Sequence, residues 1–415
     1  MPFRGRSDEV FMSHPAKARL PANVWALTVV SFLTDVSSEM ITNLLPIFLA
    51  NVLGARTGVI GLIEGVAETT ASLLKLLSGW ISDRLKRRKA LVVLGYSLST
   101  LAKPLLYVAD AWGWVLGVRF ADRAGKGLRT APRDALMADS VRADQRGLAF
   151  GVQRAGDTAG AVVGIGVALA VILSWPGSAG LDRPLFQRIV LLSLVPAAAA
   201  VVVLVLGAKE VRPRASAETK PRLTFAGLDR RFRIYLAIIV VFTLGNSSDA
   251  FLILRARAIG LSVPEVLGMM MGFNVIYAVL AGPAGALSDR LGRRRLLLTG
   301  WTTYALVYFG FAFATAGWQV WFLMAAYGVY YALTEGVARA FVADMVPAEL
   351  RGSAFGLYHA AVGLSALPAS LLAGIIWQGI GGWPGWGASA PFLMGGGLAA
   401  IAGLLLMRLP DIRSR

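Results

Sequence analysis

An eleven-residue segment occurs twice in this chain, as Gly79-Trp-Ile-Ser-Asp83-Arg84-Leu-Lys-Arg87-Arg88-Lys89 and as Gly285-Ala-Leu-Ser-Asp289-Arg290-Leu-Gly292-Arg293-Arg294-Arg295. The offset is 285 − 79 = 206 in a chain of 415 residues. Each copy lies between two long apolar runs, so the basic loop recurs together with the segments it joins. A duplication at half the chain length confines the fold to two similar sets of helices in series, the layout of parallel repeats related by an axis along the membrane normal.

Polarity sets the solvent. Hydrophobic residues make up 56% of the chain and charged residues 16%, with a mean hydropathy of +0.63; a soluble domain is roughly 45–50% apolar. Segments 189–208 and 296–334 carry no charge, the first enough for one spanning helix of ~20 residues and the second for two. Applied along the chain, that rule predicts spans at 22–50, 57–80, 90–109, 112–137, 147–174, 187–207, 233–257, 263–286, 296–315, 318–343, 352–378 and 387–407. The lipid bilayer is the expected environment. The first residues carry Arg4, Arg6 and Lys17 but no short apolar core with a cleavage site before Trp25, so no removable signal peptide is expected. With no cysteine, a disulfide or thiolate metal site is excluded.

Alternate loops differ in Lys and Arg. One side holds Arg84 to Lys89, Arg142 and Arg146, Lys209 to Arg233, Arg290 to Arg295 and Arg408; the other holds little beyond Arg56, Arg183 and Arg188. Positive charge in short loops marks the cytoplasmic side, so both termini are expected there, in the cell inner membrane. The net charge of +17 is thus dispersed over membrane-flanking loops, which speaks against a nucleic-acid partner. Residues 208–232, with Pro213 and Pro221, form the one long polar connection. The expected division is 1–207, a linker 208–232, and 233–415.

The repeat extends further. Ala138 to Gly147 aligns with Ala343 to Gly352 at 343 − 138 = 205, and Ser37-Ser38-Glu39 with Ser247-Ser248-Asp249 at 247 − 37 = 210.

The second basic loop reads G-x-L-x-D-R-x-G-R-R and resembles motif A of the major facilitator superfamily; the first departs from it at Lys86, where the family usually has Gly. Within the fourth span, Arg123-Ala-Gly-Lys126-Gly127-Leu-Arg129-Thr-Ala131 resembles motif B, R-x-x-Q-G-x-G-A-A, with Lys126 and Arg129 replacing a neutral residue and a Gly. The resemblance covers essentially the whole chain. It implies an all-α membrane protein of twelve transmembrane helices in two six-helix bundles, the major facilitator fold, and it marks Arg123 as the link between protonation and substrate binding. Motif A is common to importers and exporters; the likeness to bacterial exporters implies efflux.

A charge near the bilayer centre costs at least ~2.5–3.5 kcal/mol, so each one in a span needs a partner, an aqueous cavity or a role. Asp35 and Glu39 share one face of the first span at i, i+4. With Arg123 they form the expected proton-coupling group; the alternative is a set of static ion pairs. Glu64, Glu68, Ser72 and Lys75 make a polar stripe on the second span. Lys75, Lys103, Arg119, Arg123, Lys126, Arg129 and Arg133 oppose Asp35, Glu39, Glu64, Glu68, Asp122 and Asp134, seven positive against six negative, which predicts a buried ion-pair network. Glu64, Glu68, Lys103, Arg119, Asp249 and Tyr330 are the substrate-binding candidates.

The second half is poorer in charge. Glu335 and Arg339, at i, i+4, are expected to pair with each other, and the tyrosines of spans nine and ten read mainly as packing. His359 is a relay, a ligand or a satisfied core residue. In the basic loops, Asp83, Arg84, Asp289 and Arg290 are expected to act as conformational latches, the aspartates facing helix N-termini near Gly352 or Gly147, alongside a topogenic role for the basic run.

No G-x-x-x-x-G-K-[ST] loop occurs, so ATP is not the expected energy source. No cofactor, resident metal or enzymatic activity is expected. The sequence reads as a proton-coupled antiporter, acting as a monomer, that exports a small organic molecule such as a drug or siderophore. The alternatives are a transporter of a metal ion or chelate held by Asp35, Glu39 and Asp249, and a sensor built on the same fold.

Overall fold

The computed structural model describes residues 20–85, 87–142, 145–176, 180–211, 229–346 and 350–409; the side chains of residues 83, 147, 289 and 351–353 lie outside it. Most of the predicted linker, 212–228, also lies outside. The first half forms α1 (Ala22–Thr42), α2 (Leu45–Ile47), α3 (Thr57–Leu85), α4 (Arg88–Ala102), α5 (Trp112–Ser140), α6 (Arg146–Leu173) and α7 (Arg183–Gly207). The second forms α8 (Arg230–Gly245), α9 (Ala250–Ile259), α10 (Val263–Leu291), α11 (Arg293–Phe313), α12 (Gly317–Met345), α13 (Arg351–Gln378) and α14 (Ala390–Met407). Among the described residues the only extended pairing is an isolated bridge between Ile380 and Trp383.

Eight helical stretches are long and apolar enough to cross a membrane, including Ala22–Val52 and Arg230–Ile259. The long helices outside these eight are the ones whose composition serves something else. α3 and α5 carry the charged stripes, α4 gives way after 15 residues to a tight turn at Lys103–Leu106, and α12 is rich in Tyr and Trp.

Two spans predicted as continuous are broken. The first stops at Thr42; Asn43 caps it and the chain resumes through α2, opened by Pro46, and a wide π turn at Phe48–Val52. Proline has no N–H for the helical ladder, which accounts for the break. The other is interrupted between Gly245 and Ala250, where short polar side chains compete for the backbone. The Tyr304 hydroxyl donates to Gly245 O (2.9 Å), Ser248 N–H donates to Ser370 Oγ (3.2 Å), and Ala250 N–H donates to Ser248 Oγ (3.3 Å). Such re-pairing is what allows non-helical backbone at membrane depth.

The breaks are repeat-related, since 246 − 43 = 203 is close to the offset of the basic loops. Asp249 lies at its break, whereas Glu39 lies one turn before Asn43. The sequence match at offset 210 therefore sets these carboxylates 210 − 203 = 7 residues, about two turns, from structural equivalence.

The same duplication governs the basic-loop end. Arg88 pairs with Asp139 and donates to Ala135 O; Arg293 pairs with Asp344 at 2.6 Å and donates to Ala340 O. All three partners are shifted by 205, as 293 − 88, 344 − 139 and 340 − 135. Gly292 takes φ +92° in the second loop; Lys86, its counterpart in the first, lies outside the described residues.

In the first half α1 packs on α6 and α7, and α5 on α3 and α4; in the second α12 packs on α10 and α11, and α14 on α8 and α11. The halves meet along two seams, α3 with α13 and α6 with α10. The α3–α13 seam is tight from the end remote from the basic loops to mid-helix. A Cβ on Gly61 would fall 2.1 Å from Ser370 O. Thr57 Oγ1 donates to Gly374 O (2.8 Å), Thr69 Oγ1 to Gly363 O (2.6 Å), and Arg56 Nη2 to Gln378 O (2.7 Å). Small residues that let backbones touch are how helices hold together in lipid.

Candidate functional site

A cavity of about 420 Å³ lies between the halves at the level of the two breaks. Asn43 and Pro46 reach it from one break, and Asn246, Ser247, Ser248 and Asp249 from the other. Its charged lining is Glu39, Glu64, Glu68, Arg123 and Asp249, all of them sequence-predicted site residues.

Two of these carboxylates are answered by α5. Arg119 Nη2 donates to both oxygens of Glu64, at 2.9 and 2.7 Å, with both side chains buried. Arg123 Nη1 lies 3.2 Å from Glu68 Oε1. Spacing Arg119 and Arg123 one turn apart on α5, and Glu64 and Glu68 one turn apart on α3, turns two polar stripes into two parallel pairs. A pair of this kind meets the requirement that a charge taken out of water has a partner. Arg119 thus serves the wall from behind and does not line the cavity.

Glu39 and Asp249 are held differently. Glu39 Oε2 accepts from Asn43 Nδ2 at 2.9 Å, and Asp249 Oδ1 accepts from the Tyr327 hydroxyl at 2.7 Å. These neutral donors position a carboxylate without cancelling its charge. Lys103 lies outside the lining, buried, donating to Ser37 Oγ (2.6 Å) and Ser38 Oγ (3.2 Å) of α1.

Asp35 is likewise outside the lining. It packs where α6 crosses α1, so that a Cβ on Gly160 would lie 3.1 Å from Asp35 Cβ. Its charged neighbours are Asp157, Glu39, Lys126 and Arg129. Asp157 was not recognised in the sequence, although a charge in an otherwise apolar run was the signal that found Asp35. One of its oxygens, Oδ1, is buried without a hydrogen-bond partner. Counting it together with Arg154, one turn earlier on the same helix, the first-half network holds eight positive groups against seven negative.

The aromatic stripe divides into two layers. Tyr304, Tyr308, Tyr327 and Tyr330 are buried in two stacked pairs, with ring centroids 4.1 Å apart for Tyr304 and Tyr308 and 5.4 Å for Tyr327 and Tyr330, and the pairs meet edge-on through Tyr304 and Tyr330. Tyr330 therefore belongs to the packing behind the wall. The next residue, Tyr331, is turned about 100° around the helix and lines the cavity with Phe273.

Glu335 and Arg339 pair at 3.0 Å as expected, but Glu335 also reaches across the second seam. Arg154 of α6 lies 3.0 Å from it, and Tyr277 of α10 donates to it and accepts from Arg154. Arg154 and Tyr277 were not singled out in the sequence. His359, edge-on to Tyr358 at 5.4 Å, has Lys75 and Arg339 as charged neighbours and does not line the cavity. Of the latch residues, Arg84 lies 5.3 Å over the ring of Trp80 and Arg290 is exposed. The side chains of Asp83 and Asp289 lie outside the described residues.

Known proteins share this architecture. The family model described as Major Facilitator Superfamily matches twice, over residues 27–254 and 234–415. An uncharacterised MFS-type transporter of Methanocaldococcus jannaschii is 36% identical over 394 residues, covering 94% of this chain and 95% of the relative. The multi-drug resistance efflux pump PmrA of Streptococcus pneumoniae is 24% identical over 334 residues, covering 76% and 79%. A crystal structure of a variant of the nucleoside transporter NupG superposes with a TM-score of 0.79 at 13% identity, over 94% of this chain and 100% of that one. The chain belongs to the major facilitator superfamily of transporters.

Proposed function

We propose that this protein is a secondary transporter of twelve helices in two six-helix bundles, residues 1–207 and 233–415 joined by 208–232. It lies in the cell membrane with the basic-loop end cytoplasmic, and it exports a small organic compound in exchange for protons by alternating access. The observation that carries this reading is the cavity between the halves, where Glu39 and Asp249 stand outside every ion pair among the described residues. Carboxylates placed in this way can exchange a proton for cargo. Asp35, Glu39 and Arg123 form the coupling group, with Glu64, Glu68, Lys103 and Arg119 as its electrostatic frame, Asp249 as the substrate contact and Tyr330 as backing for that wall. The likeness to an efflux pump supports export.

The tight α3–α13 seam at the end remote from the basic loops supports a conformer closed on the extracytoplasmic side. Asp83, Arg84, Asp289 and Arg290 act as latches that close when the basic-loop end closes. A metal cargo has less support, because among the described residues no group of three or more His, Cys, Asp or Glu side chains converges.

The test is flux into proteoliposomes under an imposed pH gradient, with a radiolabelled panel of drugs, siderophores and amines. Wild type should accumulate at least one of them only with the gradient in place. Glu39→Gln should lose this flux with its melting temperature unchanged, since the isosteric amide keeps its hydrogen bonding but carries no proton. Gradient-driven flux through Glu39→Gln would contradict the assignment.

A further inference from the structure

The halves contribute unequally to the charge of the cavity. Of the three carboxylates from the first half, two face guanidinium groups. The second half contributes Asp249, and no cation from that half lines the cavity among the described residues. Arg255 and Arg257, on the same helix, are turned away: Arg255 donates to the carbonyls of Phe311, Ala312 and Ala314, and Arg257 to that of Leu261. The cavity thus holds two carboxylates, Glu39 and Asp249, one from each half, positioned by neutral donors. Glu39 shares the field of Arg123 and Lys103, whereas Asp249 has no ion-pair partner in the described lining and is left for the cavity's contents to balance.

The surrounding wall narrows the chemistry. Beside Asp249 stand the rings of Phe273 and Tyr331, with centroids 5.2 Å apart, and the amides of Asn246 and Asn274. Aromatic rings attract an ammonium through their quadrupole, and amide and hydroxyl oxygens accept its remaining protons. An anion at this wall would meet the carboxylate of Asp249 with no cation of that half in the described lining to offset it. Asn246 Oδ1 accepts from Tyr304 and Asn274 Nδ2 donates to Met270 O, so a purely lipophilic cation would leave the other group of each amide, Asn246 Nδ2 and Asn274 Oδ1, unanswered at a cost in affinity.

We propose that the substrate is a hydrophilic organic amine, cationic at neutral pH, whose ammonium is received by Asp249 beside Phe273 and Tyr331, with Glu39 facing it from the opposite half. This rests on the transport reading above and names the substrate class for the same site. Ammonium and proton then compete for one set of carboxylates, which is the elementary requirement of exchange.

The test uses the purified full-length protein and a matched four-carbon series: putrescine, 4-aminobutanoate, succinate and 1,4-butanediol, with spermidine and kanamycin as larger amines. Binding is read by thermal shift and calorimetry. At least one of putrescine, spermidine and kanamycin should stabilise the protein, and succinate and butanediol should not. Asp249→Asn should weaken amine binding about tenfold or more, the scale of one charge-assisted hydrogen bond, while Asp249→Glu should retain it. Retention by Asp249→Glu separates loss of charge from misfolding. Stabilisation by none of the amines, a preference for succinate, or equal amine affinity in Asp249→Asn would overturn the proposal. Amine binding without gradient-driven flux would sink coupled export and leave the substrate class standing. Gradient-driven flux of a neutral or anionic solute, with no amine binding, would do the reverse.

Discussion

Arg119 and Glu64 are both buried, and each is the other's direct ion-pair partner. Removing one member leaves the other charge stranded, which costs about 3–5 kcal/mol, whereas replacing both with apolar side chains is far better tolerated. Arg119→Leu should therefore lower the melting temperature markedly, and Glu64→Leu added to it should recover much of the loss; a double variant less stable than the single would contradict the pairing. At the neighbouring pair, Arg123→Ala should abolish flux and Arg123→Lys restore only part of it, because lysine keeps the charge and loses the planar fork. Equal flux in all three forms would make Arg123 a static partner. The cost of charge in lipid made Asp35, Glu39, Glu64, Glu68, Arg123 and Asp249 legible from sequence. Their partners were not legible, since pairing is decided by which helices cross and at what rotation. For that reason the sequence points to Tyr330 where Tyr331 faces the cavity, and it does not show that Asp35, one turn before Glu39, packs against α6 outside the lining.

At the scale of helices, the two breaks bring the polar backbone and side chains of Asn43 and Asn246 to Ser248 to the cavity. Pro46 was a visible signal for the first break. The second depends on Tyr304 and Ser370, distant in sequence, re-pairing the freed groups, which no local pattern reports. The α3–α13 seam is equally non-local. Gly61 touches Ser370 O without a Cβ to spare, so Gly61→Val should wedge the seam at a cost of about 1–3 kcal/mol. The expected outcome is a population shifted toward the form open at the end remote from the basic loops, read as increased labelling of a cysteine placed at Val362 in the cavity wall by a membrane-impermeant reagent confined to that side. Unchanged labelling at that position would mean that the seam does not gate the cavity.

For the whole molecule, the duplicated sequence predicts a duplicated architecture, and the matching pairs Arg88–Asp139 and Arg293–Asp344 carry that symmetry to the level of single contacts. If Asp83 and Asp289 are latches, Asp83→Asn and Asp289→Asn should each lengthen the distance between spin labels at Leu85→Cys and Leu291→Cys, both exposed sites at the basic-loop end. Unchanged distances in both variants would leave these loops as topology signals alone. The chain has no native cysteine, so paired labels report on chosen positions only. The most direct test of alternating access adds a second pair, Asn51→Cys and Ile380→Cys, at the opposite end, and follows both distances on adding ligand or moving from alkaline to acidic buffer. The account predicts two populations with opposed changes: whatever lengthens the Asn51–Ile380 distance shortens the Leu85–Leu291 distance. Distances that stay fixed, or that lengthen together, would contradict it.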